Sequence, residues 1–498
     1  MLSKSAVFEK IVTARHPEIS LQKGLYKPME KFFKLRENGT NVRTEIMAGA
    51  TTFFAMVYIL MVNANMFANP FGDGTNVLGV SYGAIYIATA ISAVIGTVLI
   101  GLLANLPLAQ ASGMGINAFF VYTVCVTFGM TYANGLVLVL IDGVIFILLT
   151  ATGLRKKIFN AIPQAVRVAI PAGIGLFIAF LGLQNAGIVV NSASTCVTLA
   201  SFNLLPPGNW ANIMPMLVTI VAVLAIAIMS KKNVRGAVLW GILGGTVLYY
   251  LLGLTVPEFY ANFSFSMESP IEAFRAFGTE SFGKVFTEGF DFSAYAAAHG
   301  NANLILIIAT TSLAFCMIDM FDTIGTLYGA CARGNMLTKD GEVPNMDRAM
   351  LADAIATTTG AICGTSTVTT FVESSSGVAE GGRTGLSSMV TAALFFIAMF
   401  VSPLAQLIPS AATAAALIYV GVLMMAGVKE IDWHSPEIAV PAFMTVALIP
   451  MTYNISYGIA FGLISHVAIN LFTGKAKEIK AATWVVTILF IAMLFLTH

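Results

Sequence analysis

Residues 304–322 read Leu304-Ile305-Leu306-Ile307-Ile308-Ala309-Thr310-Thr311-Ser312-Leu313-Ala314-Phe315-Cys316-Met317-Ile318-Asp319-Met320-Phe321-Asp322. An apolar run ends in two carboxylates three residues apart. A second carboxylate environment follows at Thr369-Thr370-Phe371-Val372-Glu373-Ser374-Ser375-Ser376-Gly377. A charge at mid-membrane costs about 2.5–3.5 kcal/mol on insertion scales. Such groups persist where they face a polar cavity, so Asp319, Asp322 and Glu373 point to a transporter with its site at membrane depth.

The rest of the chain agrees with this reading. Of 498 residues, 57% are hydrophobic and 10% charged, against about 25% charged in a soluble domain. Many apolar stretches reach the roughly 20 residues that a spanning helix needs. The sequence therefore predicts an all-α polytopic membrane protein, with the lipid bilayer as its surroundings. The net charge of +1 carries no sign of a nucleic-acid partner. Cys125, Cys196, Cys316, Cys331 and Cys363 lack metal-ligand spacing and read as reduced thiols, mostly in apolar segments. No cofactor motif appears. The glycine-rich run Gly377–Gly385 lacks the ending of a phosphate loop and is expected to end the tenth span, with Arg383 at the cytoplasmic face. No metal motif or nucleophile elbow suggests an embedded enzyme.

Residues 1–44 are polar and basic, with no apolar core of a signal peptide, and read as a cytoplasmic segment with an interfacial helix near Met29–Leu35. Spans are predicted near 45–68, 80–104, 107–130, 133–153, 163–188, 211–229 and 236–254, then near 302–328, 348–364, 366–384, 386–404, 411–428, 435–452 and 454–472. Arg155, Lys156 and Lys157 follow the fourth span, Lys231, Lys232 and Arg235 the sixth, Arg333, Lys339 and Arg348 the eighth, and Lys475, Lys477 and Lys480 the fourteenth. All fall on the side of the basic N-terminus, which makes that side cytoplasmic. The acidic loop 255–301, with Glu258, Glu268, Glu272 and Glu280, falls opposite. Fourteen spans fit this pattern in a cell (plasma or inner) membrane. The apolar stretch 482–497, within the C-terminal segment 473–498, is expected to be interfacial or peripheral.

Residues 45–254 and 302–472 echo each other. Ile162-Pro163-Gln164-Ala165 opens the fifth span and Ile408-Pro409-Ser410-Ala411 the twelfth; Pro215 recurs as Pro441 early in spans six and thirteen. A seven-span repeat must be inverted, and inverted repeats place a transport site between them at the midplane. Spans three and ten are the broken members. Leu106-Pro107-Leu108-Ala109-Gln110-Ala111-Ser112-Gly113-Met114-Gly115-Ile116-Asn117 and Thr365-Ser366-Thr367-Val368-Thr369-Thr370-Phe371-Val372-Glu373 each predict a short strand leading into a half-helix whose N–H groups face a ligand.

The candidate site follows from these breaks. Asp319 and Asp322 share a helix face. A carboxylate can accept two N–H bonds in a fork, which suits the edge of a planar heterocycle, and it can carry a proton. Glu373 and Ser374 stand at the strand-to-helix junction, and Asn117 is the matching polar residue of span three. Asp142 and Asp353 read as structural or gating groups, and His466 as a satisfied bundle histidine.

The motif Phe315-Cys316-Met317-Ile318-Asp319-Met320-Phe321-Asp322-Thr323-Ile324-Gly325-Thr326 resembles the eighth span of the AzgA-like purine permeases, in the nucleobase/cation symporter group that includes xanthine/uracil permeases. Gly364-Thr365-Ser366-Thr367-Val368-Thr369-Thr370-Phe371-Val372-Glu373-Ser374 resembles the tenth-span signature, and Gly113-Met114-Gly115-Ile116-Asn117-Ala118 and Gly182-Leu183-Gln184-Asn185-Ala186-Gly187 match further. The likeness covers about residues 30–475. It implies a seven-plus-seven inverted repeat with a core of spans 1–4 and 8–11 and a gate of spans 5–7 and 12–14. It implies proton-coupled uptake of adenine, guanine or hypoxanthine, and dimers formed through the gate. Asp319 and Glu373 would then bind the purine, Asp322 would serve proton coupling or helix geometry, and Asn117 would contact substrate or hold the site. The alternatives are a xanthine/urate or uracil permease, or an anion transporter, which these carboxylates oppose. Ser112 and Ala64 stand where the family usually has Pro.

Overall fold

The apolar runs fold as helices. The computed structural model describes residues 30–153, 162–203, 209–255, 268–339 and 342–496. Among these, ten helices are long and apolar enough to cross a membrane, and three shorter apolar helices accompany them. In the first half the order is α1 (Val42–Met56), α2 (Tyr58–Ala68), α3 (Tyr82–Leu99), β1 (Gln110–Ser112), α4 (Met114–Ala118), α5 (Tyr132–Ala151), α6 (Gln164–Asn185), β2 (Val189–Ser192), β3 (Cys196–Leu199), α7 (Asn209–Lys231) and α8 (Ala237–Thr255). In the second it is α9 (Asn301–Arg333), α10 (Met346–Cys363), β4 (Val368–Thr370), α11 (Ser374–Ala379), α12 (Gly385–Ala398), α13 (Ser410–Met424), α14 (Pro436–Thr452), α15 (Ile455–Phe472) and α16 (Ala481–Leu496). Arg155, Lys156, Lys157, Glu258 and the segment before Glu30 lie outside the described residues, and of the expected Met29–Leu35 helix, residues 30–32 are helical.

Local chemistry sets the boundaries. The side chain of Asn41 accepts the Thr44 N–H ahead of α1, Ser81 caps α3, and Thr131 forms a capping box with Asn134 at α5. Pro163 and Pro409 occupy the N-cap positions of α6 and α13, and Pro215 and Pro441 lie inside α7 and α14. Each pair of prolines noted in the sequence thus has one kind of position, helix cap or helix interior.

The helices pack in two groups. One combines α1–α5 with α9–α12, and the other α6–α8 with α13–α15. Small residues permit the closest crossings. A Cβ at Gly385 would lie 2.0 Å from the backbone oxygen of Gly101, and one at Gly421 would lie 2.4 Å from that of Gly175.

The two breaks meet inside the first group. β1 and β4 pair antiparallel, with Gln110 opposite Thr370, Ala111 opposite Thr369 and Ser112 opposite Val368. The helical part after β4 is shorter than the predicted span 366–384, covering six residues in α11. Residues 380–384 then turn around a carboxylate. Glu45, fully buried, accepts from the N–H groups of Arg383, Thr384 and Ser387 and from the Ser387 hydroxyl. It caps the N-terminus of α12, where the helix dipole favours an anion.

Two features escape the sequence reading, and the expected C-terminal helix gains its packing partners. β2 and β3 form a hairpin, with Cys196 exposed in it and the other four cysteines buried. Short helices Pro270–Ala276, Lys284–Thr287 and Ser293–His299 occupy the described part of the long loop. They cap the first helix group: Glu280 accepts the Ser81 N–H at 2.8 Å, and Asn134 donates to the carbonyls of Gly289 and Asp291. Finally, α16 packs on α15 and α9 with Phe490 and Met493 buried, so it belongs to the helix assembly.

Candidate functional site

β4 and Thr367 just before it present hydroxyls to carboxylates. Thr367 donates to Asp142 Oδ2 at 3.4 Å, Thr369 to Asp322 Oδ2 at 3.3 Å, and Thr370 to Asp353 Oδ1 at 3.3 Å. Asp353 also accepts from Gln110 Nε2 at 2.8 Å and from Thr323 at 2.9 Å. Thr357 gives its hydroxyl to Asp319 Oδ2 at 3.1 Å and lies equally close to the carbonyl of Val368. Alternating Thr and Val residues do two things here: the backbone pairs with β1, and the side chains reach acids on α5, α9 and α10.

A cavity of about 1060 Å³ lies between the two helix groups. Asp322, Glu373, Phe321 and Val372 line it from the first group, and Pro171, Val420 and Met424 from the second. Its other end carries Arg235, Arg333, Glu380 and Glu430, on the face with the basic loops. Beyond Asp322 the space shrinks to a crevice of about 10 Å³ between Ile116, Ile174, Ile318 and Phe321. On the far side the groups are tied directly. Asn65 donates to Ser410 at 3.2 Å and to Thr413 at 3.0 Å, and Thr123 donates to the Tyr453 carbonyl at 2.6 Å. The cavity is open at the basic face and closed at the other.

The predicted site residues separate into two sets. Asp322 and Glu373 line the cavity together. Asp319 does not line it and is fully buried. Asn117 is also buried: its Oδ1 accepts from Ser112 at 2.9 Å and from the Ser366 hydroxyl. Ser374 is buried and accepts the Ala109 N–H at 3.0 Å, which ties the two broken segments together. Asp142 and Asp353 are fully buried as anchors of the strand pair. His466 lines a second cavity of about 420 Å³ at the basic face, with Arg167, Asp432 and Lys480.

One expectation is corrected. The N–H groups of Ser374, Ser375 and Ser376 are taken by the carbonyls of Phe371, Val372 and Glu373. The turn before α11 already closes those bonds, so the start of this half-helix offers side chains rather than free N–H groups to the cavity. The departures from the family pattern also find a place. Ser112 shares a hydrogen bond of 2.9 Å with Thr365, and Asn63, beside Ala64, donates to Thr365 at 3.0 Å and Thr89 at 2.7 Å. At Ser112 the departure adds a hydroxyl to a buried hydroxyl–amide network, while Ala64 is buried and brings no polar group of its own.

Sequence reasoning missed Tyr58, whose hydroxyl donates to Glu373 Oε1 at 2.6 Å. Its place in an apolar first span gives no polar signal. Chemically, the cavity offers carboxylate oxygens as acceptors between apolar walls, which suits a flat ligand with N–H groups on its edge.

Two packed helix groups, broken helices that meet in a strand pair, and a cavity between the groups that carries carboxylates are the build of a multi-pass membrane transporter. The chain belongs to the Permease family Xan_ur_permease, which it matches over residues 43–461. It is 38% identical to the guanine/hypoxanthine permease PbuO of Bacillus subtilis, with 93% of this chain and 100% of that protein covered. It is 35% identical to the adenine permease AdeP of Escherichia coli, with coverage of 93% and 95%. The transmembrane domain of the cyanobacterial bicarbonate transporter BicA has the same fold, with a TM-score of 0.56 at 16% identity over 84% of this chain and 97% of that one.

Proposed function

We propose that this permease is a secondary active importer that couples proton entry to uptake of purine nucleobases, among them adenine, guanine or hypoxanthine. The carrying observation is that Asp322 and Glu373 face one cavity between apolar walls. A purine presents N–H donors on its edge and apolar faces above and below, the complement of that wall chemistry. Relatives that act on adenine and on guanine/hypoxanthine support the substrate class.

In this reading the chain has fourteen spans in two inverted repeats of seven. Spans 1–4 and 8–11 form a core and spans 5–7 and 12–14 a gate. The basic face is cytoplasmic, with the N-terminus on that side of a plasma or inner membrane, so the cavity faces inward. Uptake proceeds as the core moves against the gate and exposes the carboxylates to each side in turn. Asp322 and Glu373 contact the base and exchange the coupling proton with cavity water. Asp319, Asn117 and Ser374 hold the strand crossing beneath them. No cofactor beyond the proton is required. The gate helices α7 and α8 are 39% and 33% buried within the chain, the least of the ten long apolar helices, and they supply the surface for a homodimer.

The test is uptake of labelled hypoxanthine, guanine and adenine in cells without their own carriers, with competition by a purine and pyrimidine panel. Uptake rises at acid outside pH and collapses with a protonophore. Purine uptake indifferent to both rejects the coupling, and uptake competed by pyrimidines but not purines rejects the substrate class.

A further inference from the structure

We infer that Tyr58 is a positioning residue that makes the site read two separate N–H groups of its ligand, one at Glu373 and one at Asp322, rather than one edge through a two-oxygen fork. The inference rests on the cavity being a nucleobase site and says how that site chooses.

Tyr58 begins α2 and is fully buried in the core, away from the cavity wall. Its one hydroxyl proton goes to Glu373 Oε1 at 2.6 Å, a short bond of the kind made to an ionised acceptor. The phenol therefore touches no ligand; it fixes the plane of the carboxylate and leaves Oε2 for the cavity. Asp322 is held in the same manner. Its Oδ2 accepts from Thr369 at 3.3 Å, which leaves Oδ1. Each of these two carboxylates at the deep end of the cavity thus has one oxygen tied to the core by a hydroxyl from another element, α2 for Glu373 and β4 for Asp322.

With one oxygen of each group already accepting a hydroxyl from the core, the other oxygen keeps both of its acceptor sites for the cavity and is the stronger partner for a ligand N–H. Two such groups on different elements accept one donor each. The preferred ligand is then a planar heterocycle with N–H groups on two edges, and blocking either N–H removes one bond. Tyr58 also explains how a glutamate at a strand-to-helix junction, with the first turn of α11 closed on itself, keeps one orientation in an open cavity.

The experiment uses full-length protein in carrier-deficient cells, with guanine as substrate and 1-methylguanine and 9-methylguanine as competitors. In the wild type each methyl group weakens competition by about tenfold or more, the loss of one hydrogen bond to a charged group. Tyr58→Phe keeps the buried ring and removes only the donor. It raises the KM for guanine about tenfold with Vmax within about twofold, and it shrinks the penalty of one of the two methyl groups. Thr369→Val, which leaves Tyr58 in place, shrinks the penalty of the other. Membrane levels of both variants are measured alongside, and Thr369→Val carries the test if Tyr58→Phe is lost from the membrane. An unchanged KM and an unchanged methylguanine pattern overturn the inference. So does a loss confined to Vmax, which a purely structural tyrosine would give. A wild type that takes up no purine instead fails the nucleobase reading and is seen before any variant is made.

Discussion

Asp319 and Asp322 lie one turn apart on α9, yet they live in different chemistry. Asp319 is fully buried against Thr357, with the strand crossing beside it. Asp322 reaches past the strand edge to the cavity that Glu373 shares. One helical turn is enough: Asp319 is buried against Thr357 of α10, while Asp322, tied by one oxygen to Thr369 of β4, still reaches the cavity. The comparison teaches that a membrane-depth carboxylate is not by itself a binding group. What packs over it decides whether it meets a ligand or holds the fold.

The sharpest way to break this contrast is to neutralise each member without changing its shape. Glu373→Gln and Asp322→Asn each remove an acceptor charge from the cavity, and the loss of one charge-assisted bond corresponds to about 10- to 100-fold. Uptake is expected to fall at least that far in both variants, because the amide oxygen still accepts the Tyr58 or Thr369 hydroxyl while the charge facing the ligand is gone. Asp319→Asn still accepts the Thr357 hydroxyl, so uptake should stay within about threefold, at the scale of one neutral hydrogen bond. Initial rates normalised to membrane protein decide the matter. Abolished uptake in a stable Asp319→Asn protein would move Asp319 back into the binding site.

The next effect separates folding from transport. At Gly385 an added Cβ would meet the Gly101 carbonyl, which is backbone and cannot swing away. Gly385→Ala is expected to cost about 1–3 kcal/mol from overpacking. The loss should appear as a lower melting temperature of the purified protein and less protein in the membrane, with an unchanged KM in what remains. A raised KM at normal stability would show that this crossing shapes the cavity as well as the fold.

The sequence made the main architecture legible because hydrophobic length and Thr/Val alternation are local signals. The strand at Val368–Thr370 and the breaks near Gln110 and Glu373 could be read directly. The role of each acid could not. Asp319, Asp322, Asp142 and Asp353 look alike in an apolar run, and what distinguishes them is contact across more than two hundred residues in some cases, as between Gln110 and Asp353. The same holds for Tyr58, a tyrosine among apolar neighbours until Glu373 comes within 2.6 Å from 315 positions away. Glu45 lies in the first turn of α1, and its work as a cap for α12 depends on a turn that forms far along the chain.

The smallest expected effect tests the other end of the cavity. Arg235 precedes α8, and it pairs with Glu380, just past α11, so the contact joins the two helix groups at the open mouth. The arginine side chain is 53% exposed and the glutamate 27%. An ion pair with that much water around it is worth about 0–1 kcal/mol, roughly a fivefold change at most. Arg235→Ala should therefore alter the KM or rate by less than about fivefold, and the difference should shrink at high salt, where exposed charges are screened. The pair is still informative, because a contact between groups that move past one another exists in one state of the cycle. If Arg235→Ala changes transport by 30-fold or more, the mouth holds the open state as firmly as the carboxylates hold the ligand, and the contrast between a working deep end and a passive entrance fails.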